Sequence, residues 1–245
     1  MLSRIRRLVS NPKDNFHKVS PYLKSKLFAV KRFIYESVGN DRYSKPYDAT
    51  DELLKFIDWT GGRFVQCGGY DGFFQDPTYY LEKFRGWSGI ILEPTERFID
   101  CRRIRKHSEV LKLAAVSDEH VKEVDMTGCE AMALIDDPKL DPKEWSRQAE
   151  RIYAPMGRET LHARVPAATL NRVLSERGIK EIDLLVLDTE GSEADILRGL
   201  DMSKVKVRFA LIEIHTVERK KEVESLLNGA LLSRLSSQDY LYRIN

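Results

Sequence analysis

The sequence predicts an α/β fold with a doubly wound, mostly parallel sheet, and three features of its pattern support this. Two segments, Ile182–Leu187 and Val207–Ile214, are apolar almost throughout, which is typical of strands buried on both faces of a parallel sheet. Between them lies a helical pattern with Ala194 and Leu197 turned inward, so strand and helix alternate. The final segments predict an antiparallel hairpin, which fits one edge of the same sheet.

The composition is that of an ordinary globular protein. The chain has 245 residues, of which 42% are hydrophobic and 32% charged, and this excludes disordered, collagen-like and disulfide-scaffold proteins. The three cysteines, Cys67, Cys101 and Cys129, form no CxxC pair, which favours a reduced, cytoplasmic setting without structural zinc. No apolar run approaches the length that spans a bilayer, and no apolar secretory segment follows the basic N-terminus.

Residues 1–50 are predicted to form a basic helical arm and a linker. Residues 1–34 contain nine lysines and arginines against one acid, a charge of +8, so the rest of the chain sums to 2 − 8 = −6. Leu23, Leu27, Val30 and Ile34 recur at helical spacing with lysines between them. Such a helix fits peripheral contact with an anionic membrane, an acidic partner, or packing on its own domain. The acidic remainder argues against a nucleic-acid enzyme.

Residues 51–245 are predicted to form the main domain. Strands are expected at Arg63–Cys67, Ser88–Leu92, Val110–Val116, Ala163–Pro166 (at an edge), Ile182–Leu187, Val207–Ile214, Ala230–Leu235 and Tyr240–Ile244. Helices are expected at Asp51–Ile57, Pro77–Phe84, Thr95–Lys106, Ala167–Glu176, Ser192–Gly199 and Val217–Leu227. A polar segment at about 121–162 interrupts this order, and its length predicts a lid-like insert.

Polar residues and glycines follow the first two strands, where a doubly wound sheet binds its ligands. The segment from Gln66 to Gly72 has glycines at Gly68, Gly69 and Gly72, which let backbone approach a ligand; the alternative is a plain strand-to-helix turn. Glu93 ends the second strand, where an acid can accept both hydroxyls of a ribose. The alternative for Glu93 is to cap the next helix together with Thr95.

A second polar cluster follows the two most apolar strands. Asp188 and Glu190 come directly after one, and His215 follows the other. Carboxylates there can act as a general base, bind a divalent metal or hold a cationic ligand, and a histidine near neutral pKa is a natural base. The alternatives are helix capping for the acids, including Glu193, and a structural hydrogen bond for His215.

At these residues the sequence resembles the FkbM-type methyltransferases, a family with the class I S-adenosylmethionine-dependent fold. The similar segments are GRFVQCGGYDGFFQDPTYYLEKFRGWSGIILEPTERF, VPAATL and IDLLVLDTEGSEADILRGL, from about Arg63 to about Ile214. The glycine loop, the Glu93-Pro94 end and the acids after Leu187 occur in the family's order. Residues 1–50 and 121–162 lie outside the resemblance.

The resemblance implies roles for individual residues. The cofactor-binding set it implies is Gln66, Gly68, Gly69, Tyr70, Asp71, Gly72, Glu93, Pro94, Ala115, Val116 and Asp188. Within it, the glycines approach the methionine part of S-adenosylmethionine, Glu93 binds the ribose, the stretch containing Ala115 and Val116 flanks the adenine, and Asp188 lies near the transferring methyl. This chain has Gln66 where the family often has an acid, so its bond to the cofactor's ammonium would be uncharged. It also has Gly69-Tyr70 where Ala-Asn is common.

The resemblance also implies the reaction, which is methyl transfer to a hydroxyl of a sugar, glycolipid or secondary metabolite. A hydroxyl acceptor needs a base, and Asp188, Glu190 or His215 can serve. No metal is expected, because the cofactor's own positive charges face the acids. A non-catalytic nucleotide-binding or scaffolding protein of the same fold is the alternative, and a nicotinamide oxidoreductase is disfavoured by the spacing of the glycines. The expected partner is a small-molecule or glycan acceptor, not nucleic acid.

Overall fold

The computed structural model describes residues 21–129, 132–136, 151 and 161–245. The chain divides into two compact units, Met1–Lys45 and Pro46–Asn245. In the first unit, the described part contains the predicted amphipathic helix as α1 (Pro21–Ser37). The last turn of α1 contacts the segment that follows it. The rings of Tyr35 and Tyr43 pack edge to face, with their centroids 4.9 Å apart.

The second unit is built on a seven-stranded sheet. Its strands are β1 (Arg63–Cys67), β2 (Ser88–Leu92), β3 (Glu109–Leu111), β8 (Glu181–Leu187), β9 (Lys206–Glu213), β10 (Gly229–Arg234) and β11 (Asp239–Ile244). The spatial order is β10-β11-β9-β8-β1-β2-β3. Strands from β9 to β3 are parallel, and the last two strands pair antiparallel at one edge. The predicted doubly wound α/β fold, with its antiparallel C-terminal edge, is therefore confirmed.

Helices alternate with the strands of this sheet along the chain. They are α2 (Thr50–Leu53), α3 (Tyr79–Arg85), α4 (Phe98–Ile104), α5 (Leu170–Glu176), α6 (Glu193–Arg198) and α7 (Val217–Leu226). Several begin later than the sequence predicts, because the preceding residues form the cap. Thr169 is extended and its hydroxyl accepts a bond from the Arg172 N–H, so α5 starts three residues after Ala167. No helix among the described residues has both the length and the apolarity needed to cross a membrane.

The central strands are buried on both faces. On β1 and β8, Phe64 and Leu184 belong to one core cluster, and Val65 and Leu185 belong to the other. Alternate residues of a strand point to opposite faces, so each strand supplies both cores. All four side chains are fully buried. The uninterrupted apolar pattern of these segments follows directly from this position.

A second sheet corrects two predictions. It has the order β4-β7-β5-β6, formed by β4 (Ala114–Ala115), β5 (Glu123–Cys129), β6 (Met132–Ile135) and β7 (Leu161–Ala168). The predicted strand Val110–Val116 is therefore two strands in different sheets. The predicted edge strand Ala163–Pro166 belongs to β7, which pairs on both sides. Of the predicted insert, the described part contains β5 and β6; residues 130–131, 137–150 and 152–160 lie outside the described residues.

Candidate active site

An open cavity lies at the carboxyl ends of β1, β2 and β8. Ligands of a doubly wound sheet bind at this end of the strands. One wall comes from the second sheet, which contributes Met126 and Ile135. The lining residues are Cys67, Gly68, Leu92, Glu93, Pro94, Thr95, Leu113, Ala114, Ala115, Met126, Ile135, Asp188, Thr189, Glu190, Ser192 and Ile196.

The glycine loop after β1 is shaped by close contacts with its own protein. Gly68 has φ +86°, and a Cβ there would lie 1.8 Å from the carbonyl oxygen of Asp188. A Cβ on Gly69 would lie 2.4 Å from the Cγ2 atom of Ile91. These glycines therefore allow neighbouring strand ends to approach each other, which is a reason independent of any ligand. Tyr70 continues the loop with φ +43°, a left-handed conformation that few non-glycine residues adopt.

Glu93 holds this loop in place. One carboxylate oxygen accepts bonds from the backbone N–H groups of Gly69 (3.1 Å) and Tyr70 (2.7 Å). The other accepts bonds from the N–H (2.9 Å) and the hydroxyl (2.5 Å) of Thr95. The side chain is buried but borders the cavity. Glu93 thus caps the next segment with Thr95 and also fixes the glycine loop, and any bond to a ribose hydroxyl would share these acceptor positions.

The other predicted loop residues have contacts within the protein. Gln66 is buried, donates to the carbonyl of Gly68 (2.9 Å) and accepts from the hydroxyl of Thr78 (2.6 Å). Asp71 accepts bonds from the N–H groups of Phe73 and Phe74. Of the predicted cofactor-binding set, Gly68, Glu93, Pro94, Ala115 and Asp188 line the cavity. The residues that support the loop are Gln66, Gly69, Tyr70, Asp71 and Gly72, and Val116 packs against the small cluster of the second sheet.

A buried arginine lies beneath the loop and was not predicted. Arg105 donates to Asp76 (2.7 Å), Glu82 (3.0 Å) and Thr78 (2.8 Å). Burial alone would lower the pKa of Arg105, but the two carboxylates offset this and the pKa is raised. Because Gln66 shares Thr78 and Asp76 with Arg105, the network extends to the glycine loop.

The cavity fits S-adenosylmethionine by its chemistry. Its apolar lining, including Leu113, Ala115 and Met126, suits an adenine ring. At the β8 end the lining is polar and acidic, with Asp188 and Glu190, which suits the hydroxyl groups and the positive charges of the cofactor.

Asp188 and Glu213 form a pair of carboxyl groups at the ends of β8 and β9. The two carboxyl groups interact directly, and a hydrogen bond between them requires that they share one proton. Asp188 is exposed at the mouth of the cavity, but the protein atoms packed around its carboxyl group and the negative charge of Glu213 raise its pKa above the usual range. The pKa of Glu213 is lowered, because its bonds to His215 and Asp188 outweigh its burial. The shared proton therefore belongs mainly to Asp188.

His215 stands beside this pair as a cation. Its Nε2 atom lies 3.2 Å from Glu213 and 3.4 Å from Glu190. Hydrogen bonds to Glu190 and then Glu213 raise the pKa of His215 to about 10. On the other side of the ring, the side-chain amide nitrogen of Gln238 lies 2.6 Å from Nδ1; a protonated His215 requires this amide to turn, so that its oxygen accepts the Nδ1–H bond. The structure thus brings the three predicted catalytic residues together, with His215 protonated at neutral pH.

Glu213 is the functional candidate that the sequence reasoning missed. It is the last residue of an apolar strand and stands two positions before His215, so strand alternation puts both side chains on one face if the backbone stays extended. That spacing was the available sequence feature. Glu190, Glu213 and His215 place ligand atoms within 4.8 Å of one another, as a divalent metal would require. The two ion pairs that His215 makes with these glutamates also account for this grouping. The absence of a metal stays a prediction.

Comparison with known proteins identifies the family. A family model described as the methyltransferase FkbM domain matches residues 66–244. The 31-O-demethyl-FK506 methyltransferase FkbM of Streptomyces tacrolimicus is 37% identical over 75 residues, which are 30% of this chain and 29% of that protein. The match thus spans less than a third of the relative's length.

Two solved structures show weaker similarity. A SAM-dependent methyltransferase from Aquifex aeolicus is 13% identical with a TM-score of 0.41, over 92% of this chain and 98% of that one. The human methyltransferase 10 domain containing protein is 10% identical with a TM-score of 0.42, over 80% and 81% of the two chains. Since the family model covers most of the sequence, the chain belongs to the FkbM methyltransferase family.

Proposed function

We propose that this enzyme methylates a hydroxyl oxygen of a sugar, glycolipid or secondary metabolite. The observation that supports this is the Asp188–Glu213 pair at the acidic end of the cavity. A neutral amine is nucleophilic without losing a proton first, but a hydroxyl becomes a good nucleophile only when a base accepts its proton. A carboxyl pair beside the site supplies such a base.

The Asp188–Glu213 pair carries one proton and can accept a second. A hydroxyl placed against Asp188 would give its proton to this carboxyl group as Asp188 passes its own proton to Glu213. His215 stays protonated and is an unsuitable base at neutral pH, but its charge keeps Glu213 ionised, so Glu213 is the member of the pair with a vacant proton position. In this mechanism Asp188 contacts the acceptor, whereas Glu213 and His215 act through it.

The remaining cavity residues bind and orient the cofactor. When bound, S-adenosylmethionine supplies an electrophilic methyl group on a sulfonium. Glu93 and the loop at Gly68 would hold its ribose and methionine parts, and the apolar wall at Ala115 and Met126 would pack against its adenine. The protein's main contribution is then alignment, because methyl transfer is an in-line displacement.

Replacement of Glu93 by alanine is expected to weaken S-adenosylmethionine binding about 10–100-fold, since each lost charge-assisted hydrogen bond contributes roughly 1.5–3 kcal/mol. The variant lacks the carboxylate that would accept from the ribose, and it leaves the N–H groups of Gly69 and Tyr70 without their acceptor. Calorimetry measures the affinity. Glu96→Ala removes a nearby exposed acid paired with Lys112 and is the control. Unchanged affinity in a folded Glu93→Ala protein would show that Glu93 does not bind the cofactor.

The proposed reaction is tested by transferring labelled methyl from S-adenosylmethionine to extract and identifying the linkage in the product. An ether linkage is the expected result, because it resists mild alkali and gives a product without added positive charge. Label released as methanol by alkali would indicate a methyl ester, and label retained on a cation exchanger would indicate an amine. Either of those results would overturn the proposal. Treatment with EDTA is expected to leave the labelling rate unchanged.

The ion pairs of His215 are expected to make stability depend on pH. Its pKa is raised from 6.5 to about 10, so its stabilising contribution is complete below about pH 6.5 and is lost as the pH rises through 10. Denaturant titration should therefore show wild type and His215→Gln converging in unfolding free energy between pH 7 and pH 10. A difference that is constant over this range would mean that His215 is not charged in the folded protein.

A further inference from the structure

Helix α1 has features that neither methyl transfer nor the cavity uses. Its sequence, PYLKSKLFAVKRFIYES, contains three lysines and one arginine against one glutamate, a net charge of +3. No acid lies in its first turn. The preceding residues 1–20 add more basic side chains, so that residues 1–34 have a charge of +8.

One side of this helix presents large apolar groups to solvent. Val30, Phe33 and Ile34 occupy positions i, i+3 and i+4, which are neighbours on a helix surface. Their exposed fractions are 57%, 73% and 54%. Val38, just beyond the end of the helix, is 76% exposed. Exposed apolar groups that adjoin one another are typical of an interaction surface.

Glu36, the single acid of the helix, lies on a different side of the helix from this apolar surface. The Glu36 side chain is only 5% exposed, accepts a hydrogen bond from the Ser44 hydroxyl (2.7 Å) and pairs with Arg32. By helical geometry it lies more than a quarter turn from the centre of the Val30, Phe33 and Ile34 face. The helix therefore combines an exposed apolar side with a net charge of +3, in which Glu36 offsets only Arg32.

We propose that α1 docks this enzyme on an anionic lipid surface, with Val30, Phe33 and Ile34 buried among the acyl chains near the headgroups. Charge complementarity favours such a surface over other partners, because a segment of net positive charge is attracted to acidic headgroups while the exposed apolar side chains enter the bilayer. The inference rests on α1 alone and is independent of which acceptor is methylated.

The test is co-sedimentation of the full chain with vesicles of phosphatidylcholine and phosphatidylserine, compared with phosphatidylcholine alone. Wild type is expected to bind the mixed vesicles and to dissociate as salt rises, because screening weakens the attraction. Phe33→Gln combined with Ile34→Gln should lower vesicle binding about tenfold or more. The matched control, Val217→Gln combined with Leu231→Gln, removes exposed apolar groups elsewhere and should bind like wild type.

Calorimetry with S-adenosylmethionine verifies that the second unit of each variant is folded, since the lining residues of the cavity lie in that unit. Three outcomes would overturn the proposal: no binding of wild type to mixed vesicles, equal binding to neutral vesicles, or equal binding by the α1 variant. An acidic protein as the true partner would give the first of these outcomes.

Discussion

Replacement of Asp188 by asparagine is expected to lower kcat about 10²–10⁴-fold, the range for loss of a general base, with a much smaller change in cofactor affinity. Asparagine keeps the shape of the side chain but cannot exchange a proton with Glu213, so the pair no longer accepts the proton of a hydroxyl. Initial rates with labelled cofactor give kcat, and calorimetry gives the affinity.

The control for this variant lies on the same strand. Asp183→Asn makes the same chemical change on β8, where Asp183 bonds Arg208 and the Arg63 N–H outside the cavity. It should leave kcat near that of wild type. Near-normal turnover of Asp188→Asn together with loss of activity in His215→Ala would reverse the roles assigned here.

Much of the fold is predictable from the sequence because burial leaves a strong pattern. Strands such as Ile182–Leu187 need apolar residues at every position, since helices cover both faces of the sheet. The segment Val110–Val116 has the same pattern, yet the chain leaves the first sheet after Leu111 and pairs Ala114 with Ala167 of the second. Local pattern does not specify this change of partner, which depends on contacts more than fifty residues away.

The site was predictable in its position but less so in its contacts. Ligands of a doubly wound sheet lie beyond the carboxyl ends of its strands, so Asp188, Glu190 and His215 could be grouped from sequence. The proton shared between Asp188 and Glu213 could not, because it depends on how closely the ends of two adjacent strands bring these carboxyl groups together. The hydrogen bonds from the glycine loop to Glu93 could not be predicted either, because Gly69 and Glu93 are 24 residues apart in the sequence.

The burial of Arg105 could not be predicted from the sequence. Arg105 ends a helix amid other basic residues, a position that is usually exposed to solvent, yet its side chain is completely buried. Its guanidinium lies 5.3 Å from the ring of Phe64 and bonds Asp76 and Glu82. The Cβ that Gly72 lacks would lie 2.9 Å from Arg105, so the arginine also packs directly against the glycine loop.

Replacement of Arg105 by methionine is therefore expected to destabilise the protein by about 3–5 kcal/mol, because it leaves Asp76 and Glu82 buried without their counter-charge. Denaturant titration measures this loss. Arg177→Met is the matched control, since Arg177 makes two hydrogen bonds of 2.7 Å to Glu109 but at a partly exposed site, where about 0–1 kcal/mol is expected. Equal losses in the two variants would show that burial adds nothing to the Arg105 network. A folded Arg105→Met protein should also bind S-adenosylmethionine more weakly, because the support of the glycine loop is gone.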